Sequence, residues 1–348
     1  MLDGLRGVAA VAVMVGHRRN WFGAFAVPHY FLAVDFFFLL SGFVIDHAYA
    51  GRVSSWRERS DFLVRRIMRL FPLILAAGVL AALCQLARLH SAGQPIGWAF
   101  LVQCVAGILV LPTFFEDHVF PFNIPLWSLF FEAIANLAFM LIAPRVTLRW
   151  LIVIVAACGA CLAYSAFPHG LETTGVTRTS FIAGFPRVGF SFAAGCLINR
   201  LRREGRFARI RLGGLEPVVL LALISMPFLP LDPFYQLLCV MVVFPILLAA
   251  GANDRPRFPG FAIFSGNLSY PLYVLHVPLL FTVAAILKVT GVADLHAEPG
   301  PAQAIFRLLA VILLATLAFY LYDRPVRARL GRWWRARASG AAGAPNLS

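Results

Sequence analysis

Apolar residues run in blocks of about twenty along nearly the whole chain, and short intervals rich in arginine, proline and glycine separate them. At about 1.5 Å per helical residue, a block of that length matches the roughly 30 Å hydrocarbon core of a bilayer. The pattern predicts helical spans near residues 3–20, 29–50, 66–89, 124–143, 149–167, 178–199, 213–230, 233–250, 266–288 and 302–323. A further apolar segment, 96–112, contains Gly97, Gln103 and Gly107, which suit a re-entrant or interfacial path buried by protein. The predicted fold is therefore all-α: a polytopic transmembrane helix bundle of about ten spans.

Composition strengthens this reading. Hydrophobic residues make up 60% of the 348 and charged residues only 13%, more apolar surface than a single soluble core requires. The net charge of +14 comes from 29 arginines and one lysine, Lys288, and its placement argues against nucleic acid as a partner. Arg52, Arg57, Arg59, Arg65, Arg66 and Arg69 lie between the second and third spans, and Arg200, Arg202, Arg203, Arg206, Arg209 and Arg211 follow the 178–199 span. The positive-inside rule makes both intervals cytoplasmic, together with Arg255, Arg257 and the tail arginines Arg327, Arg329, Arg332, Arg335 and Arg337. The 289–300 loop, with Asp294, His296 and Glu298, is expected to face outward. Crossings between the two basic loops must be even in number. Arg145 and Arg149 favour a cytoplasmic turn, which leaves 96–112 as the segment that does not cross. Both termini are then cytoplasmic. The first span lacks a basic n-region and cleavage site and is expected to remain in place. Residues 1–326 read as one transmembrane domain and 327–348 as a basic tail whose last dozen residues are disordered.

Ionisable groups inside apolar helices are costly, so each is a functional candidate to be weighed against a structural pairing. Arg6 and His17 stand eleven residues apart in the first span. On a helix they fall within about 20° of one face and about 16 Å apart along the axis. Asp3 could simply pair with Arg6 one turn away, and His17 could snorkel or bond a backbone carbonyl. The alternative is a fixed cation and a near-neutral base along one cavity, which suits acyl or proton transfer. Asp35 is too expensive to face lipid and is expected to point into the bundle. Ser41-Gly42 reads first as a site of close helix packing and second as a candidate nucleophile, with no Gly-x-Ser-x-Gly elbow around it. Arg66 and Arg69, at i and i+3, could anchor the third span or grip phosphate groups of a cytoplasmic donor. Ser128, Glu132 and Asn136 form a polar stripe after Trp127, and Glu132 is expected to meet an intramembrane arginine or to orient the histidine. Tyr270 and His276 mark a second polar group late in the chain, structural or functional. Asp323 and Arg324 read as an anchor. The six cysteines all lie in apolar segments without clustered histidines, so no metal or redox role is expected.

Taken in order, Leu2-Asp3-Gly4-Leu5-Arg6-Gly7 with His17, Phe37-Phe38-Leu39-Leu40-Ser41-Gly42-Phe43, Arg66-Ile67-Met68-Arg69 before Pro72, Trp127-Ser128-Leu129 with Glu132, and Ser269-Tyr270 with His276 resemble the acyltransferase 3 family of integral membrane enzymes. The matches extend from residue 2 to about residue 325. The resemblance implies about ten membrane helices and transfer of an acyl group, usually acetyl, from acyl-CoA to a hydroxyl of an extracytoplasmic or membrane-linked carbohydrate. It also implies a bacterial inner membrane location. Family members often carry glutamate where Asp323 stands, so no catalytic role is carried onto Asp323. Some relatives bear an extracytoplasmic esterase-like domain. None follows the last span here, so the membrane domain is expected to act alone or with a separate partner.

On this reading His17 is the general base, Arg6 stands at the donor entrance, Arg66 and Arg69 hold phosphates of acyl-CoA, and Glu132 orients or charges the histidine. Asp3, Asp35, Ser41, Trp127, Ser128, Tyr270 and His276 are further pocket candidates. The expected partners are a carbohydrate acceptor and membrane lipid; the oligomeric state is left open. Two rivals stand beside it: a saccharide or lipid transporter, and a structural subunit of an envelope complex.

Overall fold

A computed structural model describes residues 1–167, 169–290 and 300–342. Eleven principal helices occur among the described residues: α1 (Leu2–Gly16), α2 (Leu32–Tyr49), α3 (Trp56–Ser91), α4 (Trp98–Leu109), α5 (Leu126–Ile142), α6 (Leu148–Ala166), α7 (Gly184–Arg203), α8 (Glu216–Ile224), α9 (Asp232–Asn253), α10 (Pro259–Thr290) and α11, which runs from Pro301 through a π-helical turn at Phe319–Asp323 to Ala342. Among the described residues seven helical segments are long and apolar enough to cross a membrane: α2, α3, α6, α7 with its leading 3₁₀ turn, α9, α10 and α11. With α1, α4, α5 and α8 shorter, the structure does not by itself fix ten crossings.

Local chemistry explains several boundaries. Ser55 and Glu58 form a reciprocal capping box at the start of α3, each satisfying a backbone N–H of the other. Within the predicted span at 213–230 the helix itself covers Glu216–Ile224, nine residues and about 13.5 Å, and irregular chain on both sides makes up the rest. Pro227 and Pro230 follow closely, and the residue before a proline resists helical geometry. The segment nevertheless reaches between two distant parts of the bundle. The amides of Leu212 and Gly213 each donate to Asp254 at 2.8 Å, while the Ile224 carbonyl accepts from the His29 amide at 2.9 Å. In the 96–112 segment, α4 has twelve residues, about 18 Å, and ends on Val110 at φ 54°. The 289–300 loop expected to face outward lies almost wholly outside the described residues. At the other end α11 continues to Ala342, so the tail expected to be disordered begins as helix.

α2 and α7 form the buried centre and run side by side in the same direction. Asp35 and Arg187 join them near one end, and Asp46 with Asn199 and Arg200 near the other. Between these clasps the backbones nearly touch: a Cβ on Gly42 would lie 1.9 Å from the Phe192 carbonyl oxygen, and one on Gly195 would lie 1.9 Å from that of Leu39. Only glycine permits that approach. α1, α3 and α10 form a second parallel group. Asp3 packs beside Gly266 and His17 against His276, while Tyr270 donates to the Leu70 carbonyl at 2.6 Å and Cys84 lies 3.7 Å from the Pro278 carbonyl. α6, by contrast, exposes apolar side chains such as Trp150, Ile152 and Val153, as a helix facing lipid does.

Candidate active site

α1, α2, α3, α5 and α10 enclose a cavity of about 760 Å³, open mouth included. Arg6 comes from α1, Ser41 from α2, Arg66 and Arg69 from α3, Ser128 and Glu132 from α5, and Tyr270 and Tyr273 from α10. Seven of the residues singled out from the sequence thus converge on one space. Phe37, Phe38, Leu40 and Leu129 supply apolar wall between the polar groups.

The charges within it are unevenly partnered. Arg6 reaches Asp3 at 3.5 Å, the pairing expected one turn away, and still lines the cavity. Arg66 has a buried Nε with no hydrogen-bond partner. A guanidinium nitrogen kept dry and unpaired is costly unless a ligand supplies the acceptor. Opposite these cations, Glu132 accepts a hydrogen bond from Ser41 Oγ at 2.7 Å. That contact revises the reading of Ser41-Gly42. Gly42 makes the close helix approach, while Ser41 turns its hydroxyl onto the cavity carboxylate. At the deep end Ser128 Oγ lies 3.0 Å from the Pro125 carbonyl and 2.5 Å from Tyr273 Oη. Since the carbonyl only accepts, Ser128 donates to Pro125 and receives the tyrosine proton.

His17 does not line this cavity, and among the described residues no hydrogen bond joins it to Glu132. It stands beyond the Tyr273 layer. The Tyr273 ring is 6.1 Å from that of His276, which is 4.8 Å from that of His17, with Tyr30 5.0 Å from His17 on another side. The expectation that Glu132 orients His17 directly is therefore corrected: a backbone carbonyl performs that task. His17 Nδ1 lies 2.8 Å from the Val13 carbonyl, which assigns the proton to Nδ1 and leaves Nε2 as a bare acceptor. His276 follows the same logic, with Nδ1 2.7 Å from the Tyr273 carbonyl and a buried Nε2 that has no partner.

The other candidates have structural partners. Asp35 points into the bundle as expected but away from the cavity, into the fork of Arg187 at 2.9 and 2.7 Å. Arg187 also donates to the carbonyls of Leu171, Thr174 and Phe31, so all five of its N–H groups are used. Trp127 stacks under the same guanidinium at 5.0 Å instead of lining the cavity. Arg187 was not among the residues chosen from the sequence, nor was Arg307, a buried arginine of α11 over Trp21 at 5.0 Å. The available signal was an arginine inside an apolar span, which requires a partner. Arg327, read as part of a basic tail, borders a second small cavity together with Arg6 and Arg69.

With this geometry in place, the comparison with known proteins is decisive for the family. The acyltransferase domain family matches residues 1–323. The chain belongs to the acyltransferase 3 family. It is accordingly an enzyme that transfers acyl groups, in an integral membrane helix bundle. A Rhizobium radiobacter protein named protein 2 in picA locus is 34% identical over 182 residues, 48% of this chain and 93% of that relative. The peptidoglycan O-acetyltransferase OatA of Listeria monocytogenes is 23% identical over 363 residues, which cover 94% of this acyltransferase but only 55% of OatA. No solved structure matches the chain.

Proposed function

We propose that this acyltransferase moves an acyl group, acetyl foremost, from acyl-CoA to a hydroxyl of a cell-envelope or exported carbohydrate. The observation that carries the reading is the cavity where Arg6, Arg66 and Arg69 converge, one with a buried unpaired Nε, across from Glu132. Guanidinium groups there suit the phosphates of a coenzyme A thioester. OatA, named for acetylating peptidoglycan, favours acetyl and a carbohydrate acceptor. In this reading the bundle crosses ten times, with α1, α5 and α8 completing the seven long segments, α4 entering without crossing and both ends cytoplasmic. Arg66 and Arg69 then face the cytoplasmic donor and His17 faces the outer side of a bacterial inner membrane.

His17 Nε2 takes the proton of the acceptor hydroxyl as its oxygen attacks the thioester carbonyl. The tetrahedral oxyanion collapses, the carbon–sulfur bond breaks, and the departing thiolate recovers the proton from the imidazolium. Glu132, held by Ser41, balances the arginines and leaves the cavity receptive to a polyanion without locking it around one. The thioester reaches His17 past Tyr273, whose hydroxyl is tied to Ser128.

The test is incubation of the purified protein in lipid nanodiscs with acetyl-CoA labelled in the acetyl group and isolated envelope glycans. Labelled ester and stoichiometric free coenzyme A are the expected products. Glycan movement across a vesicle without consumption of acetyl-CoA would instead establish a transporter and overturn the proposal.

A further inference from the structure

Beside the main cavity lies a second, smaller one of about 290 Å³, open mouth included, lined by Arg6, Arg69, Arg327, Asn267 and Tyr270 together with Gly266 and Pro271. Three guanidinium groups from α1, α3 and α11 border it, and it shares Arg6, Arg69 and Tyr270 with the main cavity. Arg327 is set there by the fold. It forms an ion pair at 2.6 Å with Asp323, a carboxylate with no exposed surface, and lies over the Phe319 ring at 5.6 Å. Asp323 closes the π-helical turn of α11, and Phe319 opens it. Tyr270, between the two cavities, is fixed by its hydrogen bond to the Leu70 carbonyl.

Two adjoining spaces with arginines at both suit a ligand whose anionic groups stand at two separate positions. Coenzyme A has that form: a pyrophosphate at one position and a phosphomonoester on the ribose 3′ carbon at another. We propose that the second cavity is a subsite for the ribose 3′-phosphate of the donor, held by Arg327 with Arg6 and Arg69, while the pyrophosphate meets Arg66 and Arg69 in the main cavity. The assignment rests on acyl-CoA being the donor. Asp323 is then a positioning residue: it fixes Arg327 and does not touch the donor.

The experiment compares acetyl-CoA with acetyl-3′-dephospho-CoA as donors for the wild type, Arg327→Gln, Arg327→Lys and the double variant Asp323→Asn/Arg327→Gln, each in nanodiscs. The double variant leaves no unpaired carboxylate in the interior, so it separates loss of the subsite from loss of folding. Removing one charge-assisted contact is worth on the order of ten- to a hundredfold in binding. Wild type should show a KM for acetyl-CoA lower by that factor than for the dephospho donor. Arg327→Gln and the double variant should raise KM for acetyl-CoA most of the way toward the dephospho value, with a much smaller change in the dephospho KM, and Arg327→Lys should restore part of the difference. Equal KM values for both donors in wild type, or a rise for both donors alike in the variants, overturns the subsite and leaves the donor assignment standing. No transfer from either donor by wild type overturns both.

Discussion

Ser41 donates its hydroxyl proton to the Glu132 carboxylate across 2.7 Å, tying α2 to α5 at the wall of the arginine-lined cavity. This contact holds a carboxylate that shares its space with three guanidinium groups. Hydrogen bonds to a charged acceptor are worth about 1.5–3 kcal/mol. Ser41→Ala is therefore expected to lower kcat/KM about tenfold, whereas Glu132→Gln, which also removes the charge facing the arginines, should lower it by at least about a hundredfold. In a double-mutant cycle the Ser41→Ala effect should shrink on the Glu132→Gln background, where a neutral amide oxygen replaces the charged acceptor. Full additivity would show that the two side chains act separately.

The histidines yield a second prediction. His17→Gln retains a side chain able to hydrogen-bond yet lacks a proton-accepting imidazole, and transfer should fall by about two to four orders of magnitude, the usual worth of general base catalysis. Monodisperse elution and an unchanged melting temperature are the controls. His276→Gln should be milder, because His276 reaches the chemistry through its ring contacts with His17 and Tyr273. Comparable activity of His17→Gln and wild type in a well-folded preparation would remove the base assignment.

How much of this was legible in the sequence depends on the kind of signal. Arg6, Arg66, Arg69 and Glu132 stood out because a charge in an apolar helix must be explained, and the structure brings all four to one cavity. The same logic applied to Asp35 found the residue but not its partner, since Arg187 lies 152 positions away and no helical spacing links them. Ser41 was hidden by its neighbour, as the packing role belongs to Gly42. The expected Glu132–His17 contact failed because periodicity places residues on a face but cannot show which layer of the bundle separates them; here Tyr273 and His276 intervene. The short α8 was obscured because its flanking prolines lie in an otherwise apolar stretch.

Asp35 and Arg187 lead to a stability prediction distinct from catalysis. The side chains are 1% and 0% exposed, and breaking such a pair leaves an uncompensated buried charge at a cost of about 3–5 kcal/mol. Asp35→Asn should therefore lower thermal stability and the yield of monodisperse protein. The double variant Asp35→Asn/Arg187→Gln should recover much of the loss by removing the stranded guanidinium. A thermal shift measured in detergent checks both. If Asp35→Asn melts with wild type yet loses transfer, the residue is part of the chemistry instead.

The glycine crossing connects fold to site most directly. A methyl group on Gly42 would meet the Phe192 carbonyl at 1.9 Å, and backbone on both sides leaves no flexible side chain to give way. Gly42→Ala must push α2 from α7, at no less than the roughly 1–3 kcal/mol of ordinary overpacking. Because Ser41 precedes Gly42 on the same helix turn, the displacement should also pull its hydroxyl from Glu132, so activity should fall further than Ser41→Ala alone explains. Gly107 in α4 provides the control: nothing lies within 4 Å of a Cβ built there, and it sits within a helix, where alanine is preferred over glycine by about 1 kcal/mol. Gly107→Ala should melt at or slightly above the wild-type temperature with transfer unchanged. Equal tolerance of both substitutions would show that α2 and α7 are not held at the separation that places Ser41 against Glu132.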